Sequence, residues 1–149
     1  MALRGGAKRH SRRDPGVTNR TASCRCGQLR ATATGEPMRV SVCHCLDCKK
    51  RTGSAFSAQA RWPADQVAVE GKSKTWCHLA DSGNRISHHF CPECGSTVHY
   101  VIEGKFEGLI AIPLGAFDDP YFATPRFSVW ENRKHPWVEI LGEGIEHSH

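Results

Sequence analysis

Apolar residues along this chain alternate with polar ones over short stretches, and nowhere does a 3.6-residue period persist. The pattern predicts strands at Gln28–Thr34, Arg39–Cys43, Ala55–Trp62, Gln66–Val69, Thr75–Leu79, Arg85–Phe90, Thr97–Ile102, Leu109–Ile112 and Trp137–Leu141. Turn residues punctuate them at Gly35-Glu36-Pro37, Glu70-Gly71-Lys72, Gly104 and Asp118-Asp119-Pro120. Asp81-Ser82-Gly83-Asn84 reads as the tip of a hairpin joining the strands around Trp76 and His88. Helix is expected only in short turns. The fold class this implies is mainly β, a single domain of antiparallel strands, and 149 residues suit one core.

Charge separates a tail from a body. The net charge of +5 is carried by residues 1–20, where Arg4, Lys8, Arg9, Arg12, Arg13 and Arg20 face a lone acid, Asp14. The remaining residues hold 14 basic and 14 acidic side chains and are neutral overall. Residues 1–21 lack an apolar period and are rich in Gly, Ser and Arg, so they are expected to form a disordered tail. The domain is placed at 22–142 and a short C-terminal tail at 143–149. A basic arm of this kind can bind nucleic acid, but the neutral body offers no interleaved basic and aromatic surface for it. No apolar stretch is long enough to span a bilayer, and no secretory h-region follows the first charges.

Seven of the eight cysteines fall into three clusters: Cys24-Arg25-Cys26, Cys43-His44-Cys45-Leu46-Asp47-Cys48 and Cys91-Pro92-Glu93-Cys94. Thiolates two or three residues apart converge on a metal more readily than they form a disulfide framework. Two pairs make a closed four-thiolate site, whereas a triplet leaves one coordination position open. Structural zinc is closed by protein ligands, and catalytic zinc keeps a place for water or substrate. Two zinc ions per chain follow, one holding the fold and one available for chemistry. Cys91 to Cys94 followed by Gly95 has the form of a zinc knuckle. Its union with Cys24 and Cys26 would clip the N-terminal strand to the centre of the fold across 64 intervening residues. Clustered thiols of this kind suit a reducing compartment, and a cytoplasmic location is expected.

The triplet is followed by Lys49-Lys50-Arg51-Thr52-Gly53-Ser54. Cations beside thiols favour the thiolate, and the same cations can receive the carboxylates of an anionic substrate. Thr52, Gly53 and Ser54 offer hydroxyl and backbone donors to shape a pocket. An open zinc can stabilise an incoming thiolate or polarise a carbonyl, and either would speed addition of a thiol to an aldehyde. Alternatively, Cys77, His44, His78, His88, His89 or His99 could complete the fourth position and close a second structural site. His88 and His89 are adjacent on a strand, so they point to opposite faces.

The run CxCG, then CHCxxCxxxTGSAF, then HFCPECGS resembles the glutathione-dependent formaldehyde-activating enzyme family, which also contains centromere protein V. The resemblance covers roughly residues 22–140 and includes VEGKSKTW between the clusters and PRFSVWENRKHPWVEI near the end. It implies a zinc-stabilised β-tent fold. It also implies Cys24, Cys26, Cys91 and Cys94 as structural zinc ligands and Cys43, Cys45 and Cys48 as ligands of an active-site zinc. The implied reaction is condensation of glutathione with formaldehyde to S-(hydroxymethyl)glutathione, formally a carbon–sulfur lyase. Partners would then be a small thiol and a small aldehyde, with no membrane and no nucleic acid except through the 1–20 tail. Two rival readings remain at this point. One is a non-catalytic zinc module whose tail binds nucleic acid or an acidic partner. The other is a redox protein in which Cys43–Cys48 form a disulfide without metal.

Overall fold

Alternation builds eleven strands among the described residues, 16–149, of the computed structural model. In chain order these begin with β1 (Asn19–Ser23), β2 (Arg30–Thr34), β3 (Arg39–Cys43), helix α1 (Leu46–Thr52), β4 (Ser57–Pro63) and β5 (Val67–Glu70). There follow β6 (Lys74–Leu79), β7 (Arg85–Phe90), β8 (Thr97–Ile102), β9 (Leu109–Pro113), β10 (Phe127–Val129) and β11 (Glu146–His147). Strands β1, β2 and β5 form a three-stranded antiparallel sheet. The other eight form a second sheet in the order β11-β10-β3-β4-β9-β8-β7-β6, antiparallel except where β10 joins β3 and β11 joins β10. The mainly β, largely antiparallel architecture read from the pattern is the one observed.

The two sheets close over a core built on small residues. Ala31 and Ala33 of β2 and Ala60 of β4 are fully buried, and their short side chains leave room for Trp62, Leu29 and Ile112. Each of those large side chains contributes roughly 1.5–3 kcal/mol by leaving water. Trp62 packs against Phe117 and Phe122, with ring centroids 5.9 and 6.5 Å away, and its Nε1 donates to the Gly35 carbonyl at 3.0 Å. That bond satisfies the polar end of a buried indole.

Several boundaries differ from the sequence pattern, each for a local reason. The first strand starts at Asn19, inside the segment expected as tail, because Arg20 pairs with Glu36 at 3.1 Å and stacks 4.6 Å over Phe122. Arg4 to Arg13 lie outside the described residues. Residues 146–147, expected in a C-terminal tail, add to the sheet edge beside β10. Trp137–Leu141 forms no strand: Val138 N–H donates to the His135 carbonyl in a turn, and Trp137 and Leu141 are exposed. Pro136 lacks a donor for a ladder there. Helix α1 buries no residue, so it leaves no apolar stripe in the sequence. The Asp81–Asn84 tip forms as expected, with Ala80 N–H bonded to the Asn84 carbonyl at 2.9 Å. No helix among the described residues is long and apolar enough to cross a membrane.

Candidate functional site

The seven clustered cysteines come together as two groups. The first gathers Cys24 and Cys26, in the turn after β1, with Cys91 and Cys94, in the turn between β7 and β8; all four sulfurs lie within 4.8 Å of one another. Cys26 Sγ is 3.6 Å from Cys24 Sγ and 3.7 Å from Cys91 Sγ. A tetrahedral metal with bonds of about 2.3 Å places its sulfurs about 3.8 Å apart, so the donor set fits such an ion. Backbone amides support it: Leu29 N–H donates to Cys24 Sγ at 3.3 Å, and Glu93 N–H to Cys91 Sγ at 3.4 Å. Gln28 Nε2 donates to Cys91 Sγ at 2.9 Å and to the Lys72 carbonyl at 2.7 Å, tying the β5–β6 turn to the cluster. Gly95 closes the knuckle at φ 78°, a conformation that a side chain would strain. Hydrogen bonds from Ser96, first among the causes, help to bring the Cys94 thiol down to about 5.

The second group is Cys43, Cys45 and Cys48. Cys43 ends β3. Cys45 caps α1 and its sulfur accepts from the Cys48 amide at 3.4 Å. Cys48 sits in the first turn. Three thiols this close share protons unequally: hydrogen bonds from Cys43 and Cys45, then Ser57 and the Arg51 charge, bring Cys48 down to about 2. Cys43 is pushed up by the bonds it gives to Cys45 and Cys48 and by burial. Three soft sulfur donors within 4.8 Å of one another suit a thiophilic cation.

No other Cys, His, Asp or Glu among the described residues joins this triplet within 4.8 Å. The candidates for a closing ligand are engaged elsewhere. Cys77 is exposed and 3.2 Å from Ser87 Oγ. His78 and His88 meet at Nε2, 3.1 Å apart, and His89 stacks flat on His99 with centroids 4.3 Å apart. His44 is fully buried, with its Nε2 3.0 Å from Ser128 Oγ. Ser128 donates onward to Glu131 Oε1 at 2.7 Å, which also meets His147 Nδ1 at 2.6 Å. Since the serine proton points to Glu131, His44 donates from Nε2, and this relay fixes the backbone between Cys43 and Cys45 to β10 and β11.

The triplet opens into a cleft of about 380 Å³, within the size range of small-molecule sites. Its floor is a cross-strand ladder: Cys43 opposite Ser57, Ser41 opposite Gln59 and Arg39 opposite Arg61. These residues alternate along β3 and β4 and so share one face. Ser57 Oγ donates to Gln59 Oε1 at 2.8 Å, Gln59 Nε2 to Ser41 Oγ at 2.9 Å, and Arg61 to the same hydroxyl at 3.1 Å. His88, Tyr100 and Phe106 line the walls. Trp130, held at φ 58° without being glycine, lines the same cleft. Burial lifts the Tyr100 hydroxyl to about 12, so it stays protonated.

Of the six residues after the triplet that sequence marked for substrate, Arg51 lines the cleft, 4.9 Å over the Tyr100 ring. Lys49 Nζ instead donates to the Arg133 carbonyl, and Lys50 faces solvent. Successive helical residues are turned about 100° apart, so three neighbours cannot all face one cleft. Thr52 Oγ1 donates to the Cys48 carbonyl at 2.8 Å and accepts from Ser54 N–H at 3.1 Å, while Gly53 caps the helix in the left-handed conformation. Thr52, Gly53 and Ser54 finish α1 and do not line the cleft. Sequence reasoning passed over Arg39, Arg61, Ser41 and Gln59. Their signal was the alternation of polar residues on the Cys43 face of β3 and on its partner.

Comparison with known proteins agrees with this geometry. The family profile described as glutathione-dependent formaldehyde-activating enzyme matches residues 19–133. Two fungal proteins, each named "Putative glutathione-dependent formaldehyde-activating enzyme", are similar. The one from Colletotrichum graminicola is 27% identical over 121 residues, covering 78% of this chain and 63% of that protein. The one from Penicillium rubens is 27% identical over 139 residues, covering 83% and 72%. This chain thus spans less than two thirds of the first relative. A crystal structure of a Rhodobacter sphaeroides protein shares the fold, with a TM-score of 0.50 at 17% identity over 67% of this chain and 91% of that one.

Proposed function

The chain belongs to the glutathione-dependent formaldehyde-activating enzyme family, and from that premise we propose that it is a zinc-dependent carbon–sulfur lyase joining a small thiol to formaldehyde. Glutathione is the proposed thiol and S-(hydroxymethyl)glutathione the product. The observation that carries this reading is a three-cysteine group, joined by no fourth Cys, His, Asp or Glu among the described residues, facing a basic cleft. The proposal assigns two zinc ions per chain, one to Cys24, Cys26, Cys91 and Cys94 and one to Cys43, Cys45 and Cys48. The protein is placed in a reducing compartment, the cytoplasm, where such thiols keep their metals.

The reaction needs neither oxidant nor reductant. A carbon–sulfur bond forms, the aldehyde C=O becomes a C–O single bond, and the thiol proton ends on that oxygen. Cys43, Cys45 and Cys48 would hold the zinc, which when bound would supply Lewis acidity that lowers the pKa of a thiol. The chain's own residues bind and orient. Arg51 brings positive charge beside Cys48, which favours anionic sulfur there. The Ser57–Gln59–Ser41 network holds the floor, and Tyr100 and Phe106 narrow the cleft around the thiol. Exchange NMR tests the assignment: glutathione and S-(hydroxymethyl)glutathione should interconvert faster than the spontaneous rate, saturably in glutathione. Interconversion at the spontaneous rate with two zinc ions bound would refute the lyase.

A further inference from the structure

The cleft holds more positive charge than the thiol chemistry uses. Arg39 and Arg61 are directly opposite in the antiparallel register of β3 and β4, a placement in which like charges repel. Arg61 is only 5% exposed. The ion pairs among the described residues are Arg20–Glu36, Arg85–Glu103 and His147–Glu131, so neither arginine has a carboxylate within 4.0 Å. Arg61 makes one bond, to Ser41 Oγ, and the buried Nε of Arg39 has no partner. Burial, then the Arg61 charge, lowers the Arg39 pKa, with Glu146 acting the other way. Aromatic rings fix both groups: Arg39 lies 3.8 Å over Phe127 and Arg61 4.2 Å over Phe106. Stacking orients a guanidinium without neutralising it. One buried and one half-buried cation, both held by stacking and neither paired with a carboxylate, form on one floor a site built for an anion.

We propose that Arg39 and Arg61 form a carboxylate-binding subsite at the end of the cleft floor away from Cys43, which selects thiols carrying a carboxylate. The inference rests on the reading of the cleft as a thiol site. Arg39 and Cys43 are four residues apart on one strand, about 13 Å. In glutathione the sulfur is on the middle residue, so a carboxylate reaches about two residues of extended chain, roughly 7 Å, from it, and the arginine side chains cover the remainder. A peptide thiol with its sulfur at the triplet thereby reaches the pair with a carboxylate. Planar guanidinium forks donate to carboxylate oxygens two at a time, and an anion between them offsets their repulsion. A neutral thiol of equal size gains none of this.

The test is calorimetric titration of the zinc-loaded protein with S-methylglutathione, whose blocked sulfur cannot bind as a thiolate, and with its diethyl ester. The acid should bind at least tenfold more tightly than the ester. Arg39→Met should lose at least tenfold in affinity for the acid, and Arg39→Lys should recover part of it. Equal affinities for acid and ester, no heat with the acid, or a folded R39M protein that binds the acid as native does would each overturn the subsite. The ester comparison uses the native protein, so it decides even if R39M fails to fold. An acid-over-ester preference without catalysed exchange would retain the subsite and remove the lyase. Catalysed exchange without that preference would do the reverse.

Discussion

His88 and His99 each bury an Nδ1 that has no hydrogen-bond partner, and this ties the stability of the fold to pH. Burial, followed by the positive charge of Arg51, lowers His88 to about 4; burial, followed by His89, lowers His99 to about 4. An unfolded histidine titrates near 6.5. Between about pH 6.5 and 4 the unfolded chain therefore binds more protons than the native one, and stability falls as pH falls. Above pH 6.5 these residues contribute no slope. Each steepens the fall by at most about 1.4 kcal/mol per pH unit. Urea midpoints at pH 7.5 and 5 should show this loss, reduced in the His88→Gln, His99→Gln double variant. An unchanged loss in that variant would assign the acid sensitivity to the thiolates alone.

At the scale of elements, the site is a product of register. Strands β3 and β4 put a sulfur, a hydroxyl–amide pair and two guanidiniums on one face because polar residues recur there at every second position. This alternation was legible as strand, and most of the central strands were read within two residues of their observed ends. What the ladder does could not be read from either strand, because Arg39 and Arg61 become neighbours only through pairing. Helix α1 was illegible for a different reason. It is held by a cysteine cap and a left-handed glycine, and it buries no residue. The turn at Gly71 shows how elements hold the four-cysteine cluster. Gly71 has φ 99°, and an added Cβ would sit 2.0 Å from the Gln28 carbonyl oxygen. Backbone cannot yield as a flexible side chain would. Gly71→Ala should therefore destabilise the protein by about 3 kcal/mol or more. It should also disturb the Gln28 bond to Cys91, so chemical denaturation and zinc retention should change together. A Gly71→Ala protein with native stability would contradict the close approach.

At the scale of the whole molecule, the proposed function assigns one cysteine group to holding the fold and the other to chemistry. Cys24 and Cys26 join Cys91 and Cys94 across the chain, so an ion there links β1 to the β7–β8 turn. A structural zinc supplies roughly 10–16 kcal/mol in small zinc domains, comparable with or above the whole stability of a domain. Cys91→Ala should accordingly abolish the cooperative thermal transition seen by circular dichroism. The triplet gathers its sulfurs from one continuous segment, so the β3–β4 floor should persist without them. The grouping of two pairs into one cluster and a triplet into another is what the cysteine spacing predicts. The cleft around the triplet is assembled from separate strands, so only its sulfurs and Arg51 could be picked out in the chain. The most direct test of the account is the exchange rate between glutathione and S-(hydroxymethyl)glutathione, measured by NMR for native protein and Cys48→Ala side by side. The account predicts catalysed exchange in the native protein and the spontaneous rate in a Cys48→Ala protein that remains folded and keeps one zinc. Equal rates in the two proteins, or a Cys48→Ala chain that unfolds with loss of both ions, would contradict it.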